Sequence, residues 1–250
     1  MLLGPGTVLG LQVLDATNAI NYFPELLALK GVNQDPIWHP EGDVWVHTLM
    51  VVDHAHKVCD DDQVDDEERL LVMLGALCHD LGKPCTTEFR EGRWRALDHS
   101  EKGDEPTASF LNRIGASPAI IENVIPLVKN HLAPMLLYKD KAGNASVRRL
   151  AIKVNIERVC RVARADFLGR TTAESIAAHN VSSKEVAATK WLLEKADGLN
   201  IRTEGPKPYL MGRHLLDLGL KPGPGVGKIL KEAMELQIEG VILDTGAAIV

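Results

Sequence analysis

The sequence predicts an all-α protein, a helical bundle with at most a short β-hairpin and with a helix-turn-helix extension at its C-terminus. Apolar residues recur at helical spacing through most of the chain, whereas the alternating patterns of strands are scarce. At residues 70–78, LLVMLGALC, the chain is apolar on every side, which predicts a helix that is buried on every side. With 250 residues, 45% of them hydrophobic, the chain can bury a large core.

Helical periodicity and helix-end signals place the other elements in order. Besides the buried run, helices are predicted over residues 11–30 with a break at Pro24, onward from Asp43, over 105–114, over 118–132, from Asn144 or Ser146 to about 156, over 156–168 and over 182–195. The segment TTEFREGRWRALDH predicts a two-stranded hairpin with Gly92 in its turn. The last stretch, from LMGRHLLDLG to ELQIEGVI, predicts a helix, a Pro-Gly turn and a second helix.

The buried run has two clear ends, and polar residues follow the second. A capping box of Asp65 and Glu68 begins the helix, and Gly82 ends it. His79 and Asp80 come directly after the apolar residues, where polar side chains are costly unless they have strong partners. A divalent metal ion is such a partner for imidazole nitrogen and carboxylate oxygen. The alternative for this dipeptide is a helix C-cap with a local ion pair.

The sequence HDLGK resembles the signature of the HD superfamily of metal-dependent phosphohydrolases. In that superfamily a lone His is followed by His-Asp and then by a distant Asp, and two further residues of this chain fit the outer positions. The ligands that the resemblance implies are His47, His79, Asp80 and Asp166. His99 and His131 would complete a second metal site, although either could instead be a surface residue.

A metal site of this composition suits the hydrolysis of phosphate esters. Its mixed nitrogen and oxygen ligands predict one or two divalent transition-metal ions, of Mn, Fe, Co, Ni or Zn. Lys83 is predicted to bind phosphate and, with Asp80, to be catalytic; the alternative is a helix-end lysine that complements the helix dipole. Arg164 and Arg170 flank Asp166 and are further candidates for binding phosphate.

Longer segments resemble the C-terminal half of bacterial CCA-adding tRNA nucleotidyltransferases. The similarity extends from about Phe23 almost to the end and includes GALCHDLGKPCTTEFREGRWRALDHSEKG and GRHLLDLGLKPGPGVGKIL. The Gly-Ser motif and paired aspartates of that family's catalytic domain have no counterpart in residues 1–45. The resemblance implies an HD-type phosphohydrolase, of the 2′,3′-cyclic phosphodiesterase, nucleotidase or phosphatase type, which acts on nucleotide or RNA-terminal phosphate. We expect no nucleotidyl transfer from this chain alone.

Two alternatives to that function stay open. One is a non-catalytic RNA-binding or partner module, such as one half of a split tRNA nucleotidyltransferase. Its RNA surface would be the arginine-rich stretch 148–170 together with the turn at 212–228. The other is a hydrolase of an unrelated small phosphate such as a nucleoside triphosphate. The sequence determines neither the particular phosphate ester, nor the native metal, nor the oligomeric state.

Composition bounds the domain organisation and the location. We divide the chain into an N-terminal helical segment with a loop (1–42), an HD domain (43–200) and a C-terminal helical extension (201–250).

No apolar run approaches the roughly 20 residues that span a membrane, and the N-terminus predicts no secretory signal. Four scattered cysteines without a CxxC pair predict reduced thiols and a cytoplasmic location. The net charge of −6 disfavours indiscriminate nucleic-acid binding but allows a local basic surface that contacts tRNA.

Overall fold

The structure, a computed structural model, describes residues 1–179 and 186–249 and is predominantly helical. The helices in chain order are α1 (Thr7–Ala16), α2 (Pro24–Leu27), α3 (Val44–Asp61), α4 (Asp66–Cys78), α5 (Lys83–Thr86), α6 (His99–Lys102), α7 (Asp104–Arg113), α8 (Pro118–Asn130), α9 (Ala133–Lys139), α10 (Asn144–Lys153), α11 (Ile156–Leu168), α12 (Ala173–His179), α13 (Ala187–Gly198), α14 (Gly212–Asp217), α15 (Pro224–Glu239) and α16 (Thr245–Ile249). The strands are β1 (Thr87–Arg90) and β2 (Arg93–Ala96). The predicted all-α class is confirmed.

Three helices, α3, α4 and α11, form the centre of the bundle. Residues 71–78 of α4 are all buried, as its uniformly apolar sequence predicts. The carboxylates of Asp43 and Asp65 cap α3 and α4 by accepting hydrogen bonds from the N–H groups of the third residue beyond each. The Asp65 half of the predicted capping box is therefore present. The Glu68 half is not, because the Glu68 carboxylate pairs with Arg158 and Arg161.

Two glycines allow backbones to approach closely near the predicted ligands. A Cβ atom at Gly169 would lie 2.9 Å from the backbone nitrogen of Val51, so this glycine lets the end of α11 pack directly on α3. A Cβ atom at Gly82 would lie only 2.0 Å from the carbonyl oxygen of His99. Position 82 requires glycine because there is no room for a side chain. Its backbone, with a φ of −82°, is in a conformation that any residue can adopt. Gly82 begins the short helix α5, and the apolar helix itself ends earlier, at Cys78.

The predicted hairpin is confirmed, and it forms one wall of the site described below. Strands β1 and β2 pair antiparallel from Thr87 opposite Ala96 to Arg90 opposite Arg93. The two turn residues between them, Glu91 and Gly92, both have positive φ, as in the type I′ turn that suits a twisted hairpin.

The N-terminal segment follows the sequence pattern less closely than the C-terminal one. Instead of one or two helices over 11–30, the structure has α1, a 3-10 turn and α2, interrupted by Asn18 in the left-handed conformation. Leu11, Ile20 and Leu26 of this segment join the same apolar core as α3 and α4. At the other end, the predicted helix–turn–helix is present as α14 and α15.

Three further predictions concern helix ends and membrane spans. Neither Asn144 nor Ser146 caps α10, whose N-cap is Gly143. The helix predicted over 182–195 is present as α13 from Ala187, and residues 182–185 lie outside the described part of the chain. No helix within the described ranges combines the length and apolarity that crossing a membrane would need. The division at residues 42 and 200 stays a prediction.

Candidate metal centre

Four of the predicted ligands meet where α3, α11 and the end of α4 converge. Asp80 Oδ2 lies 3.0 Å from His79 Nε2 and 3.9 Å from His47 Nε2. His47 Nε2 also lies 3.1 Å from Asp166 Oδ1, which joins α3 to α11. All four residues are buried. Ligand atoms of His47, His79 and Asp80 lie within 4.8 Å of one another, so these side chains could hold one metal ion.

The other two predicted ligands lie on the opposite side of Asp80. His99 Nε2 is 3.4 Å from Asp80 Oδ1 and 3.4 Å from His131 Nε2. His131 is 2% exposed and the His99 side chain 12%, so both are part of the interior. Asp80, His99 and His131 form a second group whose ligand atoms lie within 4.8 Å of one another. Asp80 therefore belongs to both groups and offers a different oxygen to each, as a carboxylate that bridges two ions would.

The imidazole rings share one orientation, with Nδ1 facing an oxygen of the protein and Nε2 facing the centre. His79 Nδ1 lies 2.7 Å from the carbonyl oxygen of Ala76, His99 Nδ1 2.8 Å from that of Ala96, and His131 Nδ1 2.6 Å from that of Val128. Ala76 and Val128 lie in the last turns of α4 and α8, where carbonyl oxygens are free for such bonds, and Ala96 is the last residue of β2. A proton held on Nδ1 leaves the Nε2 lone pair available to a metal ion.

Two residues of this centre, His39 and Glu41, were not among the predicted ligands. Glu41 Oε1 lies 2.9 Å from His39 Nδ1 and 2.8 Å from His47 Nδ1, and its side chain is 1% exposed. Both residues lie in the proline-punctuated loop before α3. No helical or strand spacing relates a loop residue to the face of a later helix, so the sequence pattern gave no signal for them beyond their residue types.

Lys83 and Arg170 bring positive charge to the same centre. Lys83 Nζ lies 2.8 Å from Asp80 Oδ2 and donates a 2.7 Å hydrogen bond to Gln34 Oε1. Arg170 donates a 2.9 Å hydrogen bond to Asp166 Oδ2. Burial by itself would raise the pKa of the Asp166 carboxyl, but Arg170 and the His47 ring hold that pKa well below its ordinary value. The carboxylates of the centre are therefore charged and paired, as buried charges must be.

Burial and neighbouring charge also set the protonation of the other ligands. Burial would raise the pKa of the Asp80 carboxyl, but the His79 and Lys83 side chains hold it well below its usual range. Burial lowers the pKa of His131 to about 3 and also lowers that of His99. These two imidazoles are neutral near pH 7, the form in which imidazole binds a metal.

A divalent metal ion fits this centre because a buried ligand atom there has no hydrogen-bond partner. The Nε2 atom of His79 is buried and makes no hydrogen bond among the described residues. A buried polar atom without a partner is costly, and a metal ion would supply one. Because imidazole and carboxylate ligands converge around this atom, the centre could hold a divalent metal ion. The geometry does not select among the metals.

The centre opens into a cavity of about 440 Å³. This volume lies within the range of ligand-binding pockets, roughly 300–1,000 Å³. Positive and aromatic side chains dominate the walls beyond the ligands, and several come from the hairpin and the loop before α3. They are Trp38, Lys83, Arg93, Trp94, Arg95 and Arg170.

The structure does not bring Arg164 to this cavity. Arg164 is 2% exposed and its guanidinium group pairs with Asp62 at the end of α3. Helix geometry explains the difference from Arg170. Residues two apart on a helix point in nearly opposite directions, whereas residues four apart share a face. Arg164 precedes Asp166 by two positions, and Arg170 follows it by four.

Other arginines of the stretch 148–170 are also committed to internal ion pairs. Arg158 pairs with Glu68, and Arg161 pairs with Asp62, Glu68 and Glu157. On α10, Arg149 pairs with Glu235 and Glu239 of α15. These ion pairs join α11 to α4 and α10 to the C-terminal extension, and the largely buried guanidinium groups of Arg158 and Arg161 are not free to bind an RNA backbone.

Comparisons with known proteins place these features in context. A family model described as HD domain matches residues 44–188. The CC-adding tRNA nucleotidyltransferase of Thermus thermophilus is 31% identical over 245 residues, which cover 96% of this chain and 51% of that protein. The A-adding tRNA nucleotidyltransferase of Deinococcus radiodurans is 28% identical over 249 residues, covering 97% of this chain and 53% of that protein. A multifunctional CCA protein of Pasteurella multocida is 34% identical over 120 residues, 48% of this chain and 27% of that protein.

The similarity to HD domains and to CCA-adding tRNA nucleotidyltransferases is thereby confirmed over most of the chain. The chain spans about half the length of the Thermus and Deinococcus relatives. The prediction that it is an HD-type phosphohydrolase is wrong. The relatives that match almost all of it are named for CC addition and A addition, which are nucleotidyl transfers and not hydrolyses.

Proposed function

This chain belongs to the HD domain family, and from that premise we propose that it is the tRNA-binding half of a tRNA nucleotidyltransferase. One observation carries the proposal. A single match to the CC-adding relative takes in the N-terminal segment, the HD domain and the C-terminal extension together, 96% of this chain, yet only 51% of the relative. In this role the chain binds tRNA, and a catalytic domain transfers the nucleotide. The proposal also places the chain in the cytoplasm, where it would meet tRNA.

The C-terminal extension supplies the RNA-binding surface in this proposal. Lys221, Lys228 and Lys231 are exposed, and within the described part of the chain none has a carboxylate within the 4.0 Å of an ion pair. They flank the start of α15, whose first N–H groups and dipole add further positive potential. We call these three residues the lysine surface. Most arginines of 148–170 differ because they already pair with carboxylates, namely Arg149, Arg158, Arg161, Arg164 and Arg170.

The metal centre is the second part of the proposal. One or two divalent transition-metal ions would be held by His47, His79, Asp80, His99, His131 and Asp166, and would supply positive charge that binds a phosphate group. Lys83 and Arg170 face the same cavity and would bind that phosphate, from an RNA end or a nucleotide. Trp38 and Trp94 would stack on a base. Asp80 and Lys83 thus enter as metal- and phosphate-binding residues.

The experiment measures tRNA affinity of the full chain by fluorescence anisotropy. We expect a tRNA transcript without its terminal CCA to bind more tightly than an RNA hairpin of equal length. Replacing the lysine surface by alanine should weaken tRNA binding on the order of tenfold at about 0.1 M salt, and should lower the salt slope by roughly 2–3, because each lost phosphate contact contributes slightly less than one.

The matched control replaces Lys102, Lys139 and Lys153, which are also exposed and have no ion pair in the described part of the chain. It removes the same charge from other surfaces and should leave tRNA affinity close to that of the wild type. Equal affinity of the wild type for tRNA and for the hairpin would contradict the proposed function. Equal losses in the two triple variants would contradict the lysine surface alone.

A further inference from the structure

Glu41 lies in a loop, yet its carboxylate is buried and paired. Its side chain is 1% exposed although it precedes the first turn of α3. Oε1 lies 2.9 Å from His39 Nδ1 and 2.8 Å from His47 Nδ1. Oε2 accepts a 3.1 Å hydrogen bond from the backbone N–H of Thr171, directly after Arg170. A carboxylate is costly to bury without partners, and Glu41 has them on three separate segments.

His47 differs from the other histidines of the metal centre because no backbone carbonyl is free to orient its ring. His79, His99 and His131 each direct Nδ1 to the carbonyl oxygen three residues earlier. Such carbonyls are free at the ends of elements. His47 is the fourth residue of α3, where the helix continues for many residues and its carbonyls take part in the backbone ladder. A side chain must therefore orient this ring.

We propose that Glu41 is the positioning residue for His47. Its carboxylate faces Nδ1 and would keep a proton there, so that a metal ion bound beside Asp166 and Asp80 would take Nε2. Through Thr171 the same carboxylate fixes the turn that carries Arg170, the partner of Asp166. This inference rests on the metal centre of the proposed function and is independent of tRNA binding.

The competing assignment is a separate metal site. His39, Glu41 and His47 form a third group whose ligand atoms lie within 4.8 Å of one another. His39 Nδ1 forms a 2.9 Å hydrogen bond with Glu41 Oε1, whereas His47 Nδ1 lies 2.8 Å from the same oxygen but outside hydrogen-bond geometry. We favour the positioning role because both oxygens of Glu41 already take part in hydrogen bonds, one with His39 and one with the backbone of Thr171. The two assignments differ in the number of metal ions that the chain binds.

The test compares the wild type with Glu41→Gln, and with Glu105→Gln as a control that removes the same charge from an exposed position. Co²⁺ titration gives affinity and stoichiometry, and ¹H–¹⁵N NMR of the metal-free protein gives the tautomer of His47. We expect Glu41→Gln to lower Co²⁺ affinity about 10- to 100-fold at unchanged stoichiometry. We also expect the Nε2–H tautomer of His47 to increase. Glu105→Gln should change neither quantity.

Two outcomes would overturn the positioning role. Loss of one bound Co²⁺ per chain, with the affinity of the remaining ions unchanged, would make Glu41 a ligand of its own site. An unchanged His47 tautomer would show that Glu41 does not hold the ring. If Glu41→Gln does not fold, Glu41→Asp keeps the charge but shortens its reach, and the same tautomer shift is expected. Failure of tRNA binding would leave each of these results intact, so the two proposals fail separately.

Discussion

Lys83 has two candidate roles, as a phosphate-binding residue and as a helix-end lysine, and the two roles predict different contacts for its side chain. A lysine that only complemented a helix dipole would extend into solvent. Lys83 is instead 7% exposed, with Asp80 at 2.8 Å and Gln34 at 2.7 Å from Nζ. Holding a buried ammonium group at the mouth of a cavity is costly unless it is paired, and a bound phosphate would pair it further.

We predict that Lys83→Met weakens the binding of cytidine 3′-monophosphate to the metal-loaded protein. Hydrogen bonds to charged groups contribute about 1.5–3 kcal/mol, which corresponds to roughly 10- to 150-fold in affinity. Metal stoichiometry should not change, because Lys83 is not a ligand. Isothermal titration calorimetry measures both quantities. Lys139→Met is the matched control, since Lys139 is an exposed lysine in the last turn of α9. Equal affinities for the two variants would leave Lys83 as a structural counter-ion of Asp80.

At the scale of elements, the metal centre depends on how closely α5 and α6 approach. Gly82 lies against the backbone of the turn that carries His99, and a Cβ atom there would meet the His99 carbonyl oxygen at 2.0 Å and the Gly103 nitrogen at 2.7 Å. Neither backbone atom can rotate away as the end of a side chain could. A larger residue must therefore displace His99 from Asp80.

We predict that Gly82→Ala destabilises the protein by roughly 1–3 kcal/mol, the usual cost of overpacking. It should also weaken the binding of Co²⁺ that depends on His99. Thermal unfolding and Co²⁺ titration of the same samples give both results. Gly143→Ala is the control, because a Cβ atom at Gly143 has no other atom within 4 Å and its φ of −76° suits alanine. A Gly82→Ala variant that matched this control would show that α5 and α6 can separate without cost.

The elements that the sequence predicts well are those with strong periodicity and a capping side chain. The uniformly apolar run of α4 and the Asp43 and Asp65 caps determine the two central helices before any tertiary contact is considered. The N-terminal helix is less well predicted because a left-handed Asn18 divides it. Gly82 shows another limit: its role depends on a backbone seventeen positions later, which no local pattern reports.

The predicted ligands follow from local patterns in the sequence, whereas the residues that support them do not. The ligands could be predicted because the His-Asp pair follows a buried helix and the outer ligands match a family pattern. Glu41 supports His47 from a loop, and only the folded chain brings the two together. Arg164 is close to Asp166 in sequence, yet on α11 its guanidinium group pairs with Asp62. Helical spacing applied to that pair would have favoured Arg170.

At the scale of the whole molecule, charge is distributed unevenly. The chain has a net charge of −6, yet the lysine surface has no acidic partner among the described residues. Most arginines of the stretch 148–170 hold helices together through ion pairs. In the proposed function this unneutralised surface would attract the RNA backbone, and the net negative charge of the protein would disfavour other modes of binding.

The central claim is that this chain supplies the tRNA-binding half of nucleotidyl transfer. The most direct measurement is CMP incorporation into tRNA by a chimera, in which this chain replaces the matching half of the CC-adding enzyme of Thermus thermophilus. Fusion keeps the two halves at a high effective concentration. We expect the folded chimera to add C to tRNA far faster than the remaining half of that enzyme alone, and alanines at the lysine surface should remove this gain. A folded chimera that is no faster than the isolated half would contradict the account.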